Sequence, residues 1–139
     1  MAAKYVLDAC ALLAFFYQEE GFDTVKSALE QADIGNTKIY MNKLNLFEVY
    51  YDVLRSQGLQ RAEDIYDVVL KLPINIIDGI SDSVFREAGR LKTQYKMSIA
   101  DSIALGESAS LDAYILTSDH KEFDPVERNE KIKFAWIRK

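Results

Sequence analysis

The fold class of this chain follows first from Lys4-Tyr5-Val6-Leu7-Asp8. The apolar run from Tyr5 to Leu7 is typical of a strand buried on both faces, and an acidic residue follows it at once. The nearly all-apolar segment from Ala9 to Gln18 predicts a helix directly after this strand. A buried strand that leads straight into a helix is the first half of a strand–helix–strand unit, so the chain opens as an α/β protein.

The same alternation of strands and helices continues to the end of the chain. Further strands are predicted at 38–41, 74–77 and 113–117, with an edge strand at 131–136, and helices at 22–34, 44–55, 59–72, 81–95 and 98–110. This order predicts a three-layer sandwich with a central, mostly parallel sheet of four to five strands. Because the sequence has two prolines and no visible linker or repeat, we expect one domain over residues 1–139.

Composition excludes several classes of protein. The single cysteine and the single histidine rule out an internal disulfide, a thiolate zinc cage and a histidine-rich metal site. The longest apolar run, Ala9 to Tyr17, is too short to cross a membrane, and the first residues lack a signal-peptide pattern, so a cytoplasmic protein is expected. The 17 basic and 22 acidic residues give a net charge of −5, which argues against a nucleic-acid partner unless basic residues cluster locally.

Four acidic residues map to one edge of the predicted sheet. Asp8 ends the first strand, and Asp119 follows the fourth. Asp101 lies in the first turn of the helix before that fourth strand, and Glu48 lies in the first half of the helix after the second strand. The carboxyl ends of parallel strands and the amino ends of their helices share one edge, which is where open α/β sheets bind ligands.

Three of these acids also have an ordinary structural explanation. Asp8 can cap the helix that follows it, and Asp101 completes a capping box that begins at Ser98. Asp119 can be a turn residue.

Glu48 is harder to explain in this way. It lies on the predicted inward stripe of its helix, which consists of Leu44, Phe47, Tyr51 and Leu54. A buried carboxylate needs a partner, and the alternative to a ligand role is an ion pair with Lys43 or Arg90.

Clustered carboxylates raise each other's pKa unless a cation neutralises them. Mg²⁺ or Mn²⁺ takes one or two carboxylates each, and such ions can activate a water and stabilise the leaving oxygen of a phosphodiester. The sequence therefore predicts that the four acids are catalytic metal ligands. Cys10 is interpreted as an inert core thiol. His120 is interpreted as a surface residue, with contact to a phosphate as the alternative. The candidate phosphate contacts, which compete with a solvated helix face, are Lys43, Arg86, Arg90, Lys92, Lys96 and Lys121.

Four segments that carry the acids resemble those of PIN domains, especially VapC-type toxins of toxin–antitoxin pairs. They are Val6-Leu7-Asp8-Ala9-Cys10-Ala11-Leu12-Leu13-Ala14, Leu46-Phe47-Glu48-Val49, Ser98-Ile99-Ala100-Asp101-Ser102-Ile103-Ala104-Leu105 and Leu116-Thr117-Ser118-Asp119-His120-Lys121-Glu122-Phe123. A Thr or Ser before the last acid is usual in that family, so the resemblance assigns Thr117 and Ser118 to the support of the ligands. Cys10 departs from the family, which often has Ser or Thr there.

The resemblance implies a PIN-like fold, RNA cleavage that depends on Mg²⁺ or Mn²⁺, frequent homodimers and a small antitoxin that binds near the active site. The leading hypothesis is therefore an endoribonuclease, the toxin of a type II pair, that leaves a 5′-phosphate and a 3′-hydroxyl. The alternatives are a non-catalytic PIN-like module that binds a protein partner, and a PIN nuclease of RNA processing that is not a toxin. A phosphatase is disfavoured, because Cys10 stands where an Asp-x-Asp motif has its second acid.

Overall fold

The computed structural model describes residues 2–139, in which strands and helices alternate along most of the chain. The strands are β1 (Ala3–Leu7), β2 (Thr37–Asn42), β3 (Asn75–Ile77), β4 (Tyr114–Thr117) and β5 (Lys133–Trp136). The helices are α1 (Ala9–Phe16), α2 (Phe22–Asp33), α3 (Lys43–Gln57), α4 (Leu59–Lys71), α5 (Asp82–Gln94), α6 (Ile99–Leu111) and α7 (His120–Asn129). Within residues 2–139, no helix is both long and apolar enough to cross a membrane.

The five strands form one sheet in the order β3-β2-β1-β4-β5, and every neighbouring pair is parallel. β1 lies at the centre, where Val6 is paired with Tyr40 of β2 and with Ile115 of β4. The predicted three-layer α/β sandwich with a mostly parallel sheet is therefore confirmed. Crossover helices cover both faces of a parallel sheet, which explains why β1 is apolar at consecutive positions.

Successive side chains of β1 point to different cores, as the strand period of two requires. Leu7 belongs to a core that the sheet forms with α1 to α4. Val6 belongs to a second core, formed with α5, α6 and α7. Both side chains are fully buried, so the middle of the sheet is a rigid base for the residues that follow β1 and β4.

Helix α7 is absent from the sequence prediction, which placed only a turn at its start. Its apolar residues with full burial are Phe123 and Val126, too few for a helical period to stand out in a polar segment. Pro125 lies inside the helix, where proline removes a backbone hydrogen bond and is therefore read as a helix breaker. Burial of Phe123 against the sheet outweighs this local preference.

The predicted inward stripe of α3 is wrong. Phe47 and Tyr51 are 59% and 53% exposed, and Leu54 is also exposed, whereas the buried apolar residues are Leu46, Val49 and Val53. Both sets have helical spacing, so periodicity alone cannot choose between them. Phe85 of α5 is likewise 70% exposed, although it is a large apolar residue.

Candidate active site

A pocket of about 570 Å³ lies at the edge of the sheet where β1 and β4 end. Glu48, Asp101 and Asp119 line it together with Ala9 and Cys10. Asp8, which directly precedes Ala9, is 1% exposed and lies beneath the pocket surface. The structure therefore brings together four acids that are far apart in the sequence.

Asp8 is the most deeply buried of the four acids. It is the N-cap of α1, and its Oδ1 accepts a hydrogen bond of 2.9 Å from the backbone N–H of Ala11. Its Oδ2 is buried and makes no hydrogen bond of standard geometry among residues 2–139, although the Thr117 hydroxyl lies near enough to the carboxyl to lower its pKa. Burial raises the pKa of Asp8 to about 7, and the charges of Asp101 and Asp119 add to that rise, against the opposing effects of Thr117 and Ala11.

Asp101 and Asp119 cap helices as well. The backbone N–H of Ser98 donates to Asp101 Oδ2 over 3.4 Å, and the N–H of Asp101 donates to Ser98 Oγ over 3.0 Å, which completes the predicted capping box. Asp119 Oδ1 accepts from the N–H of Glu122 at the start of α7, over 3.1 Å. Each cap uses one carboxylate oxygen, so capping and metal binding do not exclude each other. The helix amino ends also favour negative charge at this edge.

Glu48 has no such structural contact. It is half-buried in the second turn of α3, and within residues 2–139 its carboxylate takes part in no ion pair. The ion-pair alternative is wrong, because Lys43 lies 3.7 Å from Asp78 and Arg90 binds Glu87 and Glu130 at 2.7 Å each. Burial raises the pKa of Glu48, as do the charges of Asp101 and Asp119.

The donor set fits a hard divalent cation. The buried Oδ2 of Asp8, which accepts no hydrogen bond, is a polar atom that such an ion would contact. Burial and the charge of Asp119 also raise the pKa of Asp101. No three acidic, histidine or cysteine side chains in the described part of the chain form a group that could hold an ion together. Mg²⁺ does not require such a group, because it usually takes one or two carboxylates and keeps several waters.

Of the two residues that were expected to support the ligands, Thr117 ends β4 and Ser118 follows it, directly before Asp119. The buried Thr117 hydroxyl accepts a hydrogen bond of 3.0 Å from the backbone N–H of Asp119. Ser118 is also buried, and its carbonyl accepts from the N–H of His120. Thr117 thus fixes the backbone from which the Asp119 side chain extends.

Of the six candidate phosphate contacts, Lys96 lines this pocket, and the other five do not. Lys43 lines a separate apolar groove with Phe47, and Arg86 and Arg90 line a cleft beside the end of α6. Lys121 is exposed in the first turn of α7. Their contact with RNA stays a prediction.

Cys10 and His120 differ from their sequence interpretations. Cys10 lines the pocket instead of lying in a core, and burial and the neighbouring carboxylates raise the pKa of its thiol, which keeps it protonated. The His120 ring stacks on Trp136 at 3.7 Å and bonds both Asp124 and the Arg138 carbonyl. It therefore joins the start of α7 to the end of the chain.

The pocket is also lined by three residues that the sequence did not suggest as site residues, namely Tyr51, Asp52 and Arg55. Together with Glu48 they occupy positions i, i+3, i+4 and i+7 of α3, which share one face of a helix. That spacing is the signal that could have found them, had Tyr51 not been assigned to the core.

The capping role of Asp119 can be tested apart from any metal. Replacing Asp119 with alanine removes an N-cap and is expected to cost about 1 kcal/mol of unfolding free energy, whereas asparagine caps nearly as well and should cost little. Thermal denaturation in the presence of a metal chelator measures the stability of both variants. Asp67→Ala on the exposed face of α4 is a matched control. Equal stability of the two Asp119 variants would show that the cap contributes nothing.

Comparison with known proteins gives one family and many similar folds. The model of the PIN domain matches residues 5–129. VapBC2 of Rickettsia felis, solved on a promoter DNA fragment, is 19% identical with a TM-score of 0.75, over 96% of this chain and 98% of that one. A toxin–antitoxin complex from Klebsiella pneumoniae is 22% identical with a TM-score of 0.63, over 86% and 89%.

A third similar structure is VapC20 of Mycobacterium tuberculosis, described as a toxin that cleaves the sarcin–ricin loop. It is 11% identical with a TM-score of 0.68, over 88% of this chain and 94% of that one. At these identities the likeness concerns the fold alone. No curated protein sequence matches the chain.

Proposed function

The chain belongs to the PIN domain family, and on that premise we propose that it is a Mg²⁺- or Mn²⁺-dependent endoribonuclease and the toxin of a type II toxin–antitoxin pair. The observation that carries the proposal is the buried, unpartnered Oδ2 of Asp8 beside three further carboxylates. Within residues 2–139, none of these four acids has a cationic partner. An arrangement that concentrates negative charge without a protein counter-charge destabilises the fold, so it is explained best by a ligand that carries positive charge.

Each acid has a role in this proposal. Asp8, Glu48, Asp101 and Asp119 hold the ions, and three of them do so from helix caps that fix the carboxylate relative to the backbone. Bound divalent ions supply an activated water and neutralise charge on the phosphate. Thr117 holds the backbone of Asp119 in place. The proposed products are a 5′-phosphate and a 3′-hydroxyl.

The proposed partners are an RNA substrate, a cognate antitoxin and a second copy of the chain. Support for the antitoxin comes from the fold, which resembles that of chains solved as toxin–antitoxin assemblies. Support for RNA comes from a similar fold whose description names a cleaved RNA loop. An antitoxin is expected to inhibit cleavage by covering the pocket.

The experiment is cleavage of labelled RNA by antitoxin-free protein with Mn²⁺ or with a chelator. We expect cleavage with Mn²⁺ and none with the chelator, and Mn²⁺ should raise the melting temperature because it binds only the folded chain. Asp67→Asn, an exposed acid of α4, should behave as wild type in both measurements. Absence of both cleavage and metal-induced stabilisation would overturn the proposal and favour a non-catalytic interaction module.

The toxin role needs a separate test in cells. Expression of the chain without its genomic neighbour should arrest growth, and co-expression of that neighbour should restore it. Growth arrest that persisted in Asp8→Asn would contradict a toxicity that depends on catalysis.

A further inference from the structure

We propose that three further residues of this pocket, Arg55, Lys96 and Tyr51, bind the single-stranded RNA next to the scissile phosphate. The two cations contact a flanking phosphate, and the Tyr51 ring stacks on a neighbouring base. This inference rests on the proposed nuclease function and adds the residues that hold its substrate. We call these three residues the substrate shelf.

Arg55 is placed for phosphate binding by its own contacts. Its guanidinium donates to Asp52 over 3.1 Å, and the Tyr17 hydroxyl donates to the other oxygen of Asp52 over 2.9 Å. These bonds restrict the direction of the Arg55 side chain, yet 65% of it remains exposed. An arginine has five N–H donors in a planar fork, so most of them are free for a phosphate. Arg55 and Glu48 lie seven residues apart on the same face of α3, which places cation and carboxylate along one wall of the pocket.

Tyr51 offers an exposed aromatic surface between these two side chains. It is 53% exposed, the Arg55 guanidinium lies 5.7 Å from its ring centroid, and the Phe47 ring is nearly parallel to it at 6.3 Å. Such a row of aromatic and arginine side chains beside a groove is a feature of single-strand binding sites, where bases stack with little sequence preference. An exposed aromatic side chain at a pocket that is also lined by two exposed cationic side chains therefore suits an unpaired nucleotide.

Lys96 is the second cation that lines the pocket. It lies between α5 and α6, two residues before Ser98, and lines the pocket with an exposed side chain. In the described part of the chain it has no carboxylate partner. Lys92 is different, because its ammonium is bonded to the Met97 carbonyl at 3.0 Å.

The charges of the pocket agree with this assignment. Two divalent ions would neutralise the four proposed ligands, and the remaining acids of the pocket, Asp52 and Glu122, are matched by Arg55 and Lys96. An ion-loaded pocket would then no longer repel a polyanion. This answers the objection raised by the net charge of −5, since the basic residues need to be present only at the site.

The test is the initial rate of RNA cleavage with Mn²⁺ over a range of salt concentrations. Arg55→Ala is expected to raise KM about tenfold with kcat nearly unchanged, and to lower the dependence of log KM on log salt by about 0.7. Arg55→Lys should restore much of the loss because it keeps the charge. Arg61→Ala, on the exposed face of α4, is the matched control and should change neither parameter. Tyr51→Ala should raise KM, and Tyr51→Phe, which keeps the stacking surface, should not.

Three results would overturn the substrate shelf. In the first, wild type cleaves RNA and Arg55→Ala matches Arg61→Ala, which leaves the nuclease function intact. In the second, the Arg55 and Tyr51 variants have the KM of wild type, and Tyr51→Ala converts a dimer to a monomer, which makes this face an interface between copies of the chain. In the third, wild type cleaves no RNA, which overturns the shelf and the nuclease function together. Melting curves of each variant establish that it is folded.

Discussion

Replacing Asp8 with asparagine is expected to raise the melting temperature of the metal-free protein and to abolish RNA cleavage. The wild-type carboxylate is 1% exposed, and its Oδ2 has no partner among residues 2–139. Asparagine keeps an oxygen to cap α1 at the N–H of Ala11 but carries no charge. A pKa of about 7 against 3.8 corresponds to a destabilisation of about 4 kcal/mol when Asp8 is ionised, so the amide should melt several degrees higher.

The difference in melting temperature between Asp8→Asn and wild type should depend on pH, and the direction follows from the pKa of Asp8. Because folding raises the pKa of Asp8, the folded state binds its proton more tightly than the unfolded state. The stability that the protonated form provides is complete below pH 3.8, is lost as the pH rises, and is absent above about pH 7. The difference in melting temperature between Asp8→Asn and wild type should therefore be small at pH 4 and largest near pH 8.

Divalent metal should reverse the order of the two proteins. Mn²⁺ stabilises wild type because it binds the folded chain, and it should stabilise Asp8→Asn much less. Calorimetry at pH 8 with chelator and with Mn²⁺ measures both effects, and Asp67→Asn should follow wild type in each. An Asp8→Asn variant that melts below wild type in chelator would show that the carboxylate has a stabilising partner.

The fold could be predicted from the sequence because the central strand is recognisable from a few consecutive apolar residues. Tyr5 to Leu7 are apolar in a row, which a parallel sheet covered on both faces requires. Helix α7 could not be predicted, since it depends on the contact of Phe123 with the sheet and contains Pro125. Tertiary packing outweighed local preference at that point.

The sequence could predict those residues of the candidate site whose position follows from the order of strands and helices alone. Asp8, Asp101 and Asp119 follow strands or begin helices, and every such position lies at one edge of a parallel sheet. Tyr51 and Arg55 were missed because they lie in the middle and in the last turn of α3, respectively, where only the orientation of the helix decides whether a side chain reaches the pocket. Two apolar stripes with the same period made that face ambiguous, and only the packing of Val49 and Val53 resolves it.

Glu48→Gln is expected to lower the rate of RNA cleavage by at least about a hundredfold with no loss of stability, because loss of an outer-shell partner of a metal already costs 10- to 100-fold. Glu48 is the cleanest of the four acids to test, since within residues 2–139 it caps no helix and joins no ion pair. Burial raises its pKa, so the amide should leave the metal-free melting temperature unchanged or slightly higher. Single-turnover cleavage, with Glu30→Gln on the exposed face of α2 as a matched control, measures the effect. A Glu48→Gln variant that cleaved RNA at the wild-type rate would remove this residue from the metal site and limit the ligands to the three helix caps.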